Sequence, residues 1–207
     1  ISGAGGFTKV GTGTTTLLGN NSYTGKTIVK EGVIDYGETS QNITSLGVEG
    51  PGEVWGGNLV VNDLNNSGKI IVNSLVGTPA ANTFKNVYGS IKITSDANID
   101  LKGGKDYFFT NANVSGSGVV DGGDDVDTIK FATVKKCNPK DLGNPCKDVP
   151  SFKAAKIKNF EIAEQHFGDW DYDGNYKDSG VETMTLKGGR LLIFDKEQAT
   201  FKNFVMN

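Results

Sequence analysis

Two stretches of this sequence gather residues whose types and spacing could do chemistry. Asp169-Trp170-Asp171-Tyr172-Asp173-Gly174 reads D-x-D-x-D-G, the opening half of a calcium-binding loop. Carboxylates at alternate positions, followed by a glycine for the sharp turn, suit a hard cation that takes oxygen ligands. The twelfth position is Gly180 instead of glutamate, Glu182 comes two residues late, and neither flank reads as a helix. An acidic turn in water is the plainer expectation for Asp169, Asp171 and Asp173, and a Ca2+ site is the alternative. The same segment, residues 165–180, holds His166, Phe167, Trp170, Tyr172 and Tyr176 among its aspartates. Exposed, Phe167, Trp170, Tyr172 and Tyr176 would form a binding loop, because aromatic rings supply contact area at low entropic cost. Packed down, they would seal the side of the fold. His166 is the only histidine and Arg190 the only arginine, with no G-x-S-x-G elbow and no H-E-x-x-H helix. The expectation is that this chain holds no enzyme.

The elements that must position these residues are short strands. Threonine and valine lose χ1 freedom in a helix, and a glycine every few residues costs about 1 kcal/mol each there relative to alanine. Glycine supplies 29 of the 207 residues, roughly twice the usual ~7 %. Strand candidates fall at Thr14–Leu18, Thr27–Ile34, Asn58–Asn62, Lys69–Asn73, Thr128–Thr133, Ala155–Ile162, Val181–Leu186, Leu191–Phe194 and Ala199–Val205. Alternation in pairs such as Ile129/Phe131 and Leu192/Phe194 sends one row of side chains to a core and the next to water. Asp63–Gly68 has the polar chemistry of a corner. Ala97–Asp100 and Ala112–Ser115 resemble each other fifteen residues apart. Tyr107-Phe108-Phe109 reads as a core run. Repeats of roughly 20–25 residues would give about nine stacked coils, a rod on the order of 40–45 Å, with corner asparagines laddering along it. A β-sandwich is the rival architecture. Three stretches break the rhythm and should project from a solenoid: Pro51–Trp55, Lys135–Ser151 and Gln165–Gly180.

Charge excludes some partners. The net charge is −3, and no basic cluster exceeds Lys135–Lys136, so no footprint for nucleic acid or anionic lipid is present. The scattered lysines and aspartates read as a solvated face. No apolar run approaches the ~18 residues of a membrane-spanning helix.

The opening residues, Ile1–Ile34, carry a resemblance. They are similar to the passenger-associated repeat of Gram-negative autotransporters, roughly G-x-G-G-L-x-K-x-G-x-G-T-L-x-L-x-G-x-N-x-Y-T-G-x-T-x-V-x-x-G. The matching positions are Gly3, Gly5, Gly6, Phe7 (leucine is usual), Lys9, Gly11, Gly13, Thr14, Leu17, Gly19, Asn21, Tyr23, Thr24, Gly25, Thr27, Val29 and Gly32. The match covers about a sixth of the chain. It implies an all-β right-handed parallel β-helix, with residues 1–207 forming one segment of a longer passenger. It also implies a secreted or cell-surface location and a C-terminal β-barrel translocator outside this chain.

Within that resemblance, Cys137 and Cys146 read as a disulfide closing a loop at residues 135–151, like the closely spaced cysteine pairs of such passengers. A redox pair would need C-x-x-C, and a metal site more Cys or His. Gly122–Ile129 (GGDDVDTI) is one substitution from a calcium β-roll repeat, and Asp121–Asp127 (DGGDDVD) also invites comparison with the paired aspartates of glycan-cleaving β-helices. A solvated acidic corner is the plainer reading. Two functions are in view: a surface adhesin or virulence-associated protein binding a host receptor protein or glycan, or the structural stalk of a passenger whose active domain, such as a subtilisin-like protease, lies upstream. Self-association is a further expected partnership.

Overall fold

The computed structural model describes residues 1–94, 98–111, 113–116, 119–132, 156–166, 169–171, 179–187, 190–192 and 201–206. Among these residues there is no helix, and every pairing between strands is parallel. That rules out the sandwich, whose facing layers are antiparallel. The chain is a parallel β-solenoid.

Among the described residues, successive turns visit three faces in the same order. The first face holds Phe7–Lys9, Thr27–Val29, the ends of Ser40–Val48 and Asn58–Asn66, then Thr83–Asn86, Tyr107–Thr110, Thr128–Ala132, Ile162–His166, Thr183–Leu186 and Asn203–Met206. The second runs Thr14–Thr16, Gly32–Asp35, Gly52–Trp55, Lys69–Val72, Ser90–Ile93 and Asn113–Ser115. The third takes the starts of Ser40–Val48 and Asn58–Asn66, then Ser74–Val76, Ile99–Asp100, Val119–Asp121 and Lys156–Lys158. About seven turns close between Phe7 and Lys158, and three more rungs continue the first face. Its ten rungs, nine steps of about 4.8 Å, give a stack about 43 Å long.

Register places like residues on like. On the first face Leu46, Leu64, Phe84, Phe108, Ile129, Ala163 and Met184 form one inward column, all buried. On the second face the column is Ile34, Val54, Ile70, Ile91 and Val114. On the third it is Leu59, Leu75, Ile99, Val120 and Ile157. A parallel stack buries each of these side chains against the same position one turn away, so the core runs the length of the rod. Phe108 is buried, while Tyr107 and Phe109 beside it are only half-buried.

Several sequence expectations shift. Asp63–Gly68 is a corner only at Ser67–Gly68, because Asn58–Asn66 continues as strand with Leu64 and Asn66 pointing inward. Asn66 Nδ2 donates to Asn86 Oδ1 at 2.8 Å, and Asn86 Nδ2 donates to Thr110 Oγ1 at 3.2 Å. The asparagine ladder therefore exists, but inside the solenoid at strand ends. Pro51–Trp55 is not an insertion: Gly52–Trp55 pairs on both sides, with Gly32–Asp35 and with Lys69–Ile71, and Val54 is wholly buried. Thr27–Ile34 divides at Lys30–Glu31 into rungs on two faces. The fifteen-residue similarity does not follow the coil, since Ile99 lies on the third face and Val114 on the second. The offset that does is 21 residues, setting Asp100–Asp106 over Asp121–Asp127.

Candidate functional site

Near the start of the solenoid, a buried lysine fills a corner. Lys9 is enclosed, and its ammonium donates to the carbonyls of Val10 at 3.0 Å and Glu31 at 3.2 Å, and to that of Gly11. Gly11 and Gly32 both have left-handed φ, +76° and +72°. A Cβ on Gly32 would collide with the Gly11 and Gly13 carbonyls and with the Lys9 ammonium. The glycines thus shape a cage of carbonyl oxygens, and the lysine satisfies it. Below it, Tyr23 Oη and Thr27 Oγ1 pair at 2.6 Å, and Asn21 Nδ2 donates to Gln41 Oε1 at 3.0 Å. Gly25 lies against the Gly5 and Gly6 backbone, leaving no room for a side chain. Lys9, Asn21, Gly25 and Gly32 of the opening motif are thus residues that hold successive turns together.

Between the third and first faces, a corner of opposite charge runs through later turns. Asn82, Asp106, Asp127 and Glu161 each stand just before a rung of the first face. Asn82 N–H donates to Asp106 Oδ1 at 2.7 Å, Asp106 N–H to Asp127 Oδ1 at 2.8 Å, and Asp127 N–H to Glu161 Oε2 at 2.9 Å. The two turns leading into it are built alike. Asp100 Oδ1 accepts from Lys102 N–H at 2.9 Å, and Asp121 Oδ1 from Gly123 N–H at 3.2 Å. Left-handed φ recurs at Lys102 and Gly123, then at Gly104 and Asp125. The solvated acidic corner expected at Asp121–Asp127 holds for Asp124 and Asp125, which are exposed, but not for Asp127, which is 0 % exposed, like Asp106 of the preceding turn at 3 %. Burial pushes the Asp127 carboxyl up, and the charges of Asp106, Glu161 and Asp125 add to this against the pull of the Asp106 N–H, bringing it to about 7. Burial likewise raises Asp106, against the hydrogen bonds from Asn82.

Two outer surfaces could meet a partner. A groove of about 730 Å³ on the third face of the early turns is lined by Asn20, Tyr23, Asn42, Thr44, Asn62, Thr78 and neighbours, none of them charged. Thr78 Oγ1 donates to Asn62 Oδ1 at 2.9 Å across adjacent turns. On the second face the exposed Trp55 donates from Nε1 to Glu53 Oε2 at 2.7 Å, and Lys69 lies over the ring at 5.8 Å while pairing with Glu53 at 3.0 Å. Tyr88 is also exposed, held at φ +63° with its N–H on Asn111 Oδ1 at 2.8 Å.

The residues singled out from the sequence are only partly described. Cys137, Cys146, Phe167, Tyr172, Asp173 and Tyr176 lie outside the described residues. Asp169, Trp170 and Asp171 form a strand paired in parallel with Arg190–Leu192. Gln165 and His166 belong to the rung Ile162–His166, with Gln165 buried, so the rhythm does not break there. His166 Nε2 lies 3.0 Å from Glu164 Oε2, which also meets Lys130 at 3.4 Å and Lys187 at 3.6 Å. Burial pushes the Glu164 carboxyl up, but the hydrogen bond with His166 and the two lysine charges outweigh it and hold the group below its ordinary range. Sequence reading missed Lys9, Asp106 and Asp127 as interior groups. The lysine's place in the motif and the 21-residue offset of the two aspartates were the available signals.

With this geometry in view, comparison with known proteins is direct. The passenger-associated-transport-repeat family model matches residues 7–35, the segment that builds the lysine cage. The chain carries an autotransporter passenger repeat. Two proteins named extracellular serine protease from Serratia marcescens are similar to it. One is 47 % identical over 57 residues, 27 % of this chain and 5 % of that protein; the other is 65 % identical over 34 residues, 16 % of this chain and 3 % of that protein. The chain thus aligns with a small part of the length of these relatives, and the likeness is at the level of the passenger repeat. No solved structure matches it significantly.

Proposed function

We propose that this chain is a stalk segment of a secreted autotransporter passenger, exposed at or beyond the cell surface. The observation that carries this reading is the interior. Like residues stack on like through successive rungs, with a lysine cage in the early turns and an amide ladder further along. These features spend the sequence on holding turns together. The repeat-level likeness to proteins named extracellular serine protease agrees with a rod that carries another domain. The passenger's own β-barrel translocator would lie elsewhere in the parent polypeptide.

The test is removal of one coil in register. Asn66 and Asn86 occupy the same position on adjacent turns, so deleting residues 67–86 joins equivalent corners. A spacer should tolerate this, with surface display and the activity of the remaining parent protein retained. Loss of display with an otherwise intact parent would count against the stalk.

A second reading, an adhesin or virulence-associated binding protein, is favoured by the neutral polar groove and by the exposed Trp55 and Tyr88. An uncharged glycan or a host receptor protein is the partner such surfaces would take, with residues 165–180 as a further contact. Saturable host-cell binding by the 207-residue chain, weakened by Asn42→Ala or Trp55→Ala, would support it; no binding would leave the stalk. Calcium at Asp169, Asp171 and Asp173 and a Cys137–Cys146 disulfide remain part of this proposal. Calcium titration by calorimetry and mass measurement with and without reductant test them.

A further inference from the structure

The carboxyl corner of the later turns does something the passenger repeat does not require. Backbone N–H groups of the preceding turn satisfy Oδ1 of Asp106 and Oδ1 of Asp127. Oδ2 of both residues is enclosed and has no partner. Asp127 Oδ2 also occupies the space that a side chain on Gly122 would need. Among the described residues, the charged groups that act on Asp127 are Asp106 from the turn before, Glu161 from the turn after and Asp125 from its own turn, all acids. Asp106 faces neutral Asn82 and the same Asp125. Lys102 and Lys158, on the adjoining turns, are paired instead with Asp100 at 2.6 Å and Asp121 at 3.5 Å.

Enclosed carboxylates that face one another cannot all ionise without a counter-charge. Among the described residues, no three Asp, Glu, His or Cys side chains converge to hold a metal ion. A proton meets the need without such convergence.

We propose that the Asp106–Asp127 corner is a proton-operated clamp on the later turns: closed while the pair holds a proton, loosened when both carboxyls ionise. The proton is taken from solvent and returned to it. The raised position of Asp127 agrees with this. In the unfolded chain the same carboxyl titrates near 3.9. The folded state therefore binds a proton that the unfolded state has lost between about pH 4 and pH 7, and stability falls as pH rises through that window, then levels. The rod would be firmer in mildly acidic surroundings than in neutral ones.

The experiment is urea unfolding of the full 207-residue chain at pH 5, 6, 7 and 8, with chelator and again with calcium, for the native sequence and Asp127→Asn. The expected result is an unfolding constant that rises up to about tenfold per pH unit from 5 to 7 and then flattens, with most of that slope absent in Asp127→Asn. The same slope in both proteins would overturn the proposal. So would stabilisation by millimolar calcium that Asp127→Asn abolishes, which would make the corner a metal site. Should the variant fail to fold, carbon NMR of the native carboxyls decides: an Asp127 midpoint near 7 supports the clamp, and one below 5 sinks it.

Discussion

The early and later turns fill their corners in opposite ways. At Lys9 a flexible cation enters a ring of carbonyl oxygens, and its donors find partners at Val10, Gly11 and Glu31. At Asp106 and Asp127 the interior groups are carboxyls, each satisfied through one oxygen and orphaned at the other. Corners expose backbone carbonyls and N–H groups alike, and a solenoid can meet either with a side chain from the turn before or after. A lysine brings three donors and a long stem. An aspartate brings acceptors on a short stem, so its second oxygen goes wherever the turn leaves it. The first arrangement fastens turns through hydrogen bonds donated to three carbonyls. The second fastens them only while it holds a proton.

Four substitutions break or sharpen that contrast. The largest effect is expected from Gly32→Val, which needs an unfavourable φ and drives a side chain into the carbonyl cage. A loss of about 4 kcal/mol or more, read by urea unfolding, should come with faster amide exchange across residues 14–35. Lys9→Met keeps the stem but orphans three carbonyls, and should cost about 2–3 kcal/mol at both pH 5 and pH 8. Asp127→Asn should have the opposite sign at pH 8, a gain of about 1–3 kcal/mol from removing a buried charge, and little effect at pH 5. If both variants lost stability equally at both pH values, the contrast between the corners would be gone. Lys69→Ala is the control on the outer face: its pair with Glu53 is open to water, so thermal unfolding should move by less than about 0.5 kcal/mol.

The legible part of this molecule was its rhythm. Glycine at corners, Thr and Val between them and alternating Ile, Leu and Phe led to stacked parallel strands, and the opening motif led to the passenger repeat. Placement within a turn was less legible. Pro51–Trp55 reads as a projecting turn because Gly and Pro crowd it, yet Gly52 is small so that a rung can lie against the Val29 carbonyl. Asp63–Asn66 reads as a corner because asparagine and aspartate favour turns, yet Asn66 sits inside, where a stacked amide replaces water.

The sequence by itself determined the element type, because backbone propensity and alternation are local properties carried by each short segment; it did not determine the number of coils, since about seven turns stand where about nine were expected. Only the tertiary structure decided which polar residues are interior. Lys9, Asp106 and Asp127 look like any other solvated charge in one turn. Their burial, and hence their chemistry, comes from the residue 20 or so positions away that stacking brings to hydrogen-bond distance.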